Sequence, residues 1–251
     1  MIKQLKQKIS YIPLYQLYKQ LSSEYDLSNS VLLEASNDGN FHYLACFPSI
    51  ILRLKENTLY FDSFFMDKKK ILLSNQKKIF VSEDEIISSI RSFIERNPYT
   101  FGYFSYSFAE YTQKIRLKAK KDLDNNDVFL FSPRLLFIED VRQKSVNVII
   151  FFEENKEKDY MLSVLKKISA ESFSDSYSPE NIDVGSFNSL VSYQQYLAMI
   201  KKAKKFVYDG DSYQIKLSQR FHTKITKDTG SRYFPINLYT KICAINPSPC
   251  N

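Results

Sequence analysis

The stretch that most constrains the fold is residues 192–221. Ser192, followed three residues later by Gln195, has the form of a capping box that opens a helix. Tyr196, Met199, Ile200, Ala203, Phe206 and Val207 then recur at spacings of three and four, which gives one apolar stripe. Lys201, Lys202, Lys204 and Lys205 occupy the other side. Gly210 suits the left-handed residue that ends a helix, and Asp211 continues the turn. Tyr213, Ile215 and Leu217 alternate with Gln214, Lys216 and Ser218, the pattern of a half-buried strand. A helix that turns at once into a strand needs a sheet to receive that strand.

The rest of the chain supplies strands. Pro13 precedes Leu14, Leu17, Tyr18 and Leu21 at helical spacing. Val31 to Glu34 and Phe41 to Cys46 flank the turn cluster Ser36-Asn37-Asp38-Gly39-Asn40, a hairpin signature. Ile50–Lys55 and Thr58–Phe61 pair in the same way around Glu56-Asn57. Ser82 and Glu85 cap a helix over residues 83–95, with Ile86, Ile87, Ile90, Phe93 and Ile94 inward, and Asn97-Pro98 ends it. Phe101 to Tyr106, Phe129–Phe131, Leu135–Asp140 and Ser145–Phe152 read as strands, 114–127 as a polar loop and Lys156–Ser169 as a helix. Phe234–Ile245 is a last helix, with Leu238, Tyr239 and Ile242 inward. Strands with helices between and around them imply an α+β fold with a largely antiparallel sheet. Ser172 to Asn188 is the most linker-like piece. The expected division is a domain over 1–171, a linker over 172–190 and the start of a second domain over 191–251.

Charge and composition narrow the function. The net charge is +7, carried mostly by dispersed lysines without a nucleic-acid motif to organise them, so the reading is a solvated surface and no nucleic-acid partner. No apolar run approaches the roughly 20 residues a membrane helix needs, and Met1 to Ser10 lacks the apolar core of a signal peptide. Three widely spaced cysteines, Cys46, Cys243 and Cys250, do not make a disulfide framework and fit a reduced, cytoplasmic protein. The five glycines leave no room for a phosphate loop, and no Cys or His pair has metal-ligand spacing. His42 and His222 sit beside aromatic residues in strand-like contexts, which favours structural or surface roles. Glu34, on an apolar strand, is either half-exposed or holds a polar partner or ligand. No residue pattern is catalytic on its own.

Five segments, in order, resemble component I of the chorismate-utilising aminodeoxychorismate and anthranilate synthases. Leu32-Leu33-Glu34-Ala35-Ser36 is similar to the family's Leu-Leu-Glu-Ser motif. Phe41 to Pro48 is similar to its Tyr-Ser-Phe-Leu-Ala-x-x-Pro strand, and Phe101 to Tyr106 to its Gly-Gly-x-x-Gly-Tyr-x-x-Tyr segment without the leading glycines. Gly210 to Phe221 resembles Gly-Asp-x-Tyr-Gln-Val-x-Leu-Ser-Gln-Arg-Phe nearly residue for residue, and Asn246-Pro247-Ser248-Pro249 matches Asn-Pro-Ser-Pro.

The resemblance implies a two-sheet α+β sandwich, of which this chain carries the N-terminal half with peripheral helices. In the family the magnesium and chorismate sites lie almost wholly beyond Asn-Pro-Ser-Pro. The expectation is therefore a truncated, non-catalytic portion with no catalytic residue, no metal ligand and no cofactor of its own, magnesium belonging to the intact enzyme. Implied partners are a separately encoded C-terminal catalytic half and a glutamine amidotransferase subunit. The tyrosine of Gly210-Asp211-Ser212-Tyr213-Gln214 favours the para-aminobenzoate (folate) branch. The anthranilate (tryptophan) branch and a non-catalytic small-molecule-binding or interaction module stay open. A family tryptophan pocket maps onto Glu34, Ala35, Ser36, Phe41, His42, Tyr43, Pro249, Cys250 and Asn251. Ala35 stands where the family has serine, and Cys250 where it usually has an aromatic residue.

Overall fold

The computed structural model describes residues 2–27, 29–34, 40–67, 70–80, 82–113, 115–118, 123–170, 185–224 and 234–245. The hairpin turn around Gly39 and the Asn246–Pro249 motif lie outside these residues, as do most of the expected linker and, among the pocket residues, Ala35, Ser36, Pro249, Cys250 and Asn251. The chain divides into two compact units. The first is Met1–Ser176 with Tyr239–Asn251, and the second is Tyr177–Leu238.

The described elements run β1 (Lys3–Ile9), α1 (Leu14–Glu24), β2 (Val31–Leu33), β3 (Phe41–Lys55), β4 (Thr58–Asp67), β5 (Lys70–Phe80), α2 (Glu83–Arg96), β6 (Phe101–Phe104), α3 (Ala109–Thr112), β7 (Val128–Asp140), β8 (Ser145–Phe152), α4 (Asn155–Ala170), β9 (Asn188–Ser189), α5 (Tyr193–Tyr208), β10 (Phe221–His222) and α6 (Phe234–Ile245). In the first unit eight strands form one antiparallel sheet in the order β1-β8-β7-β3-β4-β5, with β2 added on β3 and β6 on β7. The fold is α+β and antiparallel, as the pattern of strands and helices implies.

Several local causes are visible. The β3–β4 turn places Glu56 and Asn57 at φ of 49° and 57°, the geometry that matches the twist of a tight hairpin. Its register, Lys55↔Thr58 through Ile50↔Ser63, is the expected one. Ser82 and Glu85 close the capping box of α2. Leu14, Leu17 and Leu21 form the fully buried face of α1.

Four readings of the sequence change. Phe129–Phe131 and Leu135–Asp140 are one 13-residue strand, not two. Pro133 does not break it, because proline's missing donor falls at an irregularity where β3 also presents a proline, Pro48. β1 and β5 go unmarked in the sequence because edge strands rich in Lys and Gln bury few side chains. The run from Tyr213 to Gln219 is not a strand: it joins no ladder among the described residues, and Tyr213 is fully exposed. Finally, no residue of α5 is fully buried, although Tyr196, Met199, Ile200 and Ala203 are its least exposed positions, as the stripe implies.

The core of the first unit falls into three clusters. α1 and α4 cover Leu44, Cys46, Leu135, Phe137, Val146, Val148 and Ile150. α2 covers Leu52, Leu54, Leu59, Val128 and Leu130. Ala45, Ile51, Phe131, Leu136, Ile149 and Phe151 form a third cluster.

Glu139 fastens α1 to this sheet. It is 2% exposed, and its carboxylate accepts from the Leu14 N–H at the first turn of α1 (3.2 Å) and from the Tyr11 hydroxyl (2.9 Å). The first turn of a helix has unpaired N–H groups, so a carboxylate there satisfies a donor and complements the dipole.

Three outcomes follow. Gly102 sits at φ +148°, and a Cβ there would lie 1.9 Å from the Phe129 carbonyl oxygen. Gly102→Ala should therefore cost about 3 kcal/mol of unfolding free energy in a urea titration; a loss below experimental error would contradict this. Glu139→Leu should also cost about 3 kcal/mol, because buried donors lose their acceptor. Burial, then the hydrogen bond to Glu139, pushes the Tyr11 phenol up to about 12. A phenol raised in the folded state stabilises below its unfolded value near 10 and loses that contribution as pH rises towards 12. The difference in stability between wild type and Tyr11→Phe should shrink across that window.

Candidate functional site

The first unit contains a row of ionisable side chains across three neighbouring strands. β2 pairs β3 through Leu32↔Leu44 and Leu33↔Tyr43, so the next step of this register sets Glu34 opposite His42. β3 pairs β7 with His42 opposite Glu139. Directly opposed side chains on one face are close enough to interact. The distances agree: His42 Nδ1 lies 3.1 Å from Glu139 Oε2 and 3.8 Å from Glu34 Oε1.

Burial sets the electrostatics of this row. The Glu139 side chain is 3% exposed, while those of His42 and Glu34 are 18% and 19% exposed. Burial pushes the Glu34 carboxyl above the usual carboxylate range, and Tyr239 and His42 pull it back. Tyr239 belongs to the part of α6 that lies in the first unit. Its hydroxyl is buried close to Glu34 without a hydrogen bond of good geometry. Burial, followed by the charge of Glu34 and contact with Cys243, pushes this phenol far up. One imidazole between two carboxylates, with two phenols at the ends, can hold a proton or a cationic group. It offers no nucleophile matched to a base.

The expected pocket residues divide between the two faces of the sheet. Glu34 and His42 lie on the α1 side with Glu139. Tyr43 packs into the opposite cluster with Val31 and Ile138, and Phe41 is 44% exposed. His222 is exposed at the end of the β9–β10 ribbon. Tyr11 and Glu139 complete the row and carry no local signal, since the hydrogen bond between them spans 128 residues of sequence. Only the strand register reveals them.

The second unit displays the other motif. Ser192 accepts from the Gln195 N–H, and Gln195 Oε1 accepts from the Ser192 N–H, so the capping box of α5 is complete. Gly210 takes φ 81°, and the Gly210 and Asp211 N–H groups bond back to the Val207 and Phe206 carbonyls. Gln219 then reaches Ser189 Oγ at 2.6 Å, and Phe221 pairs with Ser189.

Comparison with known proteins agrees with these motifs. The chain is 26% identical over 161 residues to anthranilate synthase component 1 of Acetivibrio thermocellus, a match that covers 59% of this chain and 31% of the relative. It is 23% identical over 154 residues to aminodeoxychorismate synthase component 1 of Bacillus subtilis, with the same coverage. The match thus spans about a third of each curated relative. The solved structure of anthranilate synthase component I from Streptococcus pneumoniae TIGR4 shares the fold with a TM-score of 0.62 at 16% identity, over 90% of this chain and 50% of that one. Residues 51–251, four-fifths of the sequence, match the family profile of the chorismate binding enzymes. The chain belongs to that family.

Proposed function

We propose that this chain is the N-terminal portion of a chorismate-amination component I and that the 251-residue chain does not aminate chorismate by itself. The observation that carries this is the helix–turn–extended segment from Ser192 to Phe221, inside a family match over residues 51–251. The supporting argument is chemical. Displacing the chorismate hydroxyl calls for a metal ion that holds a carboxylate and assists the leaving group. Among the described residues, no group of three or more His, Cys, Asp or Glu side chains could hold a metal ion. The Glu34–His42–Glu139 row does not fit magnesium either, because His42 is placed between the carboxylates. No step is therefore assigned to magnesium on these residues.

The same reading gives the chain two partners: a polypeptide carrying the remainder of the catalytic domain, and a glutamine amidotransferase subunit that delivers ammonia. It places the chain in the cytoplasm; no helix among the described residues is long and apolar enough to cross a membrane. Between the branches, Tyr213 after Gly210-Asp211-Ser212 supports aminodeoxychorismate formation. The relatives include both synthases at similar identity, so product analysis decides.

The assay is direct. The purified chain, incubated with chorismate, magnesium and ammonia, should release neither 4-amino-4-deoxychorismate nor anthranilate by chromatography. Either product from the chain alone would sink the proposal. Adding a separately expressed C-terminal portion of the Bacillus subtilis relative should restore amination, and the product identifies the branch. Continued silence with a correctly folded complement would count for the non-catalytic binding module.

A second reading rests on Glu34 and His42. A carboxylate and an imidazole on the first hairpin could hold the ammonium and carboxylate groups of a tryptophan-type ligand, with Ala35, Ser36, Phe41, Tyr43, Pro249, Cys250 and Asn251 as the remaining candidates. The chain contains no tryptophan, so the fluorescence of added tryptophan reports binding against a tyrosine background. Binding should raise its anisotropy, and Glu34→Gln should weaken it about tenfold, the value of one charge-assisted hydrogen bond. Unchanged anisotropy at millimolar protein would remove tryptophan from the account.

A further inference from the structure

Charge is spread unevenly along the chain. Residues 185–224, within the second unit, carry seven Lys and Arg side chains against two carboxylates, Asp209 and Asp211. They supply five of the seven net positive charges. Four of the cations, Lys201, Lys202, Lys204 and Lys205, stand in the second half of α5, and all four are exposed. At 3.6 residues per turn, Lys201, Lys202 and Lys205 share one side of the helix with Gln194 and Gln195, and Lys204 lies near the boundary of that side.

The other side of α5 is apolar and incompletely covered. Tyr196, Met199, Ile200 and Ala203 are half-buried, and no residue of the helix is fully buried. Leu197, Phe206 and Val207 are exposed, as are Tyr193 and Tyr208 at the two ends. Lys202 Nζ already leans over the Phe206 ring, 5.8 Å from its centroid. A lysine stem laid along apolar surface with its ammonium group in water is the arrangement such side chains adopt at an interface.

These facts select a surface. A second copy of α5 would bring the lysines of both copies together. A nucleic acid would meet the lysines and leave the apolar side in water. The groove of a protein takes one stripe of anchors at i, i+3, i+4 and i+7, whereas the exposed apolar positions of α5 spread over about half its circumference. A fluid boundary accepts that width. We propose that α5 is a surface-binding helix for anionic membranes, lying flat on a bilayer that contains acidic phospholipids. The lysines meet the lipid phosphates and carboxylates, the apolar side enters the acyl boundary, and Tyr193 and Tyr208 sit at the headgroup level. With 16 residues and four lysines α5 lies on the bilayer and does not cross it. No part of this depends on chorismate or on the reading of the Glu34 row.

The test is flotation of the 251-residue chain with phosphatidylcholine vesicles, with and without phosphatidylserine. The chain should float with the mixed vesicles and stay behind with the neutral ones. Lys201→Gln and Lys205→Gln, both at exposed positions, should each lower partitioning about fivefold, the contribution of one lysine near an acidic surface. Leu197→Ser, also at an exposed position, should lower it about tenfold through lost apolar contact. Absence of flotation with the mixed vesicles overturns the proposal. In that event a single-stranded oligonucleotide retained by the chain assigns the lysines to nucleic acid, and a dimer broken by Leu197→Ser assigns the apolar side to a second copy. Equal flotation with both kinds of vesicle overturns it as well, as does flotation that the lysine variants or Leu197→Ser leave undiminished.

Discussion

The first unit depends on the pairing of β3 with β7. These are the two longest strands, and they lie next to each other at the centre of the sheet. Every other strand of the sheet is attached to one of them directly or through one intermediary. Their ladder is continuous from Phe41↔Asp140 to Pro48↔Pro133, gains one residue in β3, and resumes at Ile50↔Ser132. The two prolines face each other where neither can donate, so the loss of ladder bonds is confined to one place. Phe47 takes φ 58° just before it and still buries its ring against Tyr25. The dislocation falls between the stretch of the strand pair that α1 and α4 cover and the stretch that α2 covers. One long strand pair thus serves two helix layers that meet different local geometries.

The charged row is a second consequence of the same pairing. His42 and Glu139 oppose each other only because the β3–β7 register is what it is, and Glu34 joins them only through the β2–β3 register. A one-residue slip would send every one of these side chains to the opposite face. Glu139 then links the row to α1 through Leu14 and Tyr11. A buried carboxylate is tolerated because it accepts from the Leu14 N–H and the Tyr11 hydroxyl, and losing either exposes a desolvation cost that packing alone would not reveal.

How much of this was legible in the sequence depended on where the information resides. Caps and tight turns are local, and Ser82–Glu85, Ser192–Gln195, Glu56–Asn57 and Gly210 all behave as their residue types dictate. Edge strands are not locally encoded in the same way. β1 alternates Leu5, Gln7 and Ile9 with Gln4, Lys6 and Lys8, which reads as polar chain until Val146–Phe152 is placed beside it. The proline in β7 made one strand look like two, because the compensation lies in another strand. The site followed the same rule. Glu34 and His42 were visible through a short motif, whereas Glu139 and Tyr11 acquire meaning only from long-range register and burial.

The residues that hold the fold differ from those that identify the family. The core of the first unit is ordinary Leu, Ile, Val and Phe, which many sequences could supply. The most specific motif, Gly210 to Phe221, lies in the second unit and buries almost nothing among the described residues; Tyr213 is fully exposed and Phe221 is 56% exposed. Aromatic and aliphatic side chains gain about 1.5–3 kcal/mol each when buried, so the described packing does not account for placing Tyr213, Ile215 and Leu217 in alternation. Physics alone reads that alternation as a strand in search of neighbours. Family membership gives it a context: the alternation belongs to the stretch that matches the chorismate binding enzymes, while the first unit is stabilised by its own central strand pair.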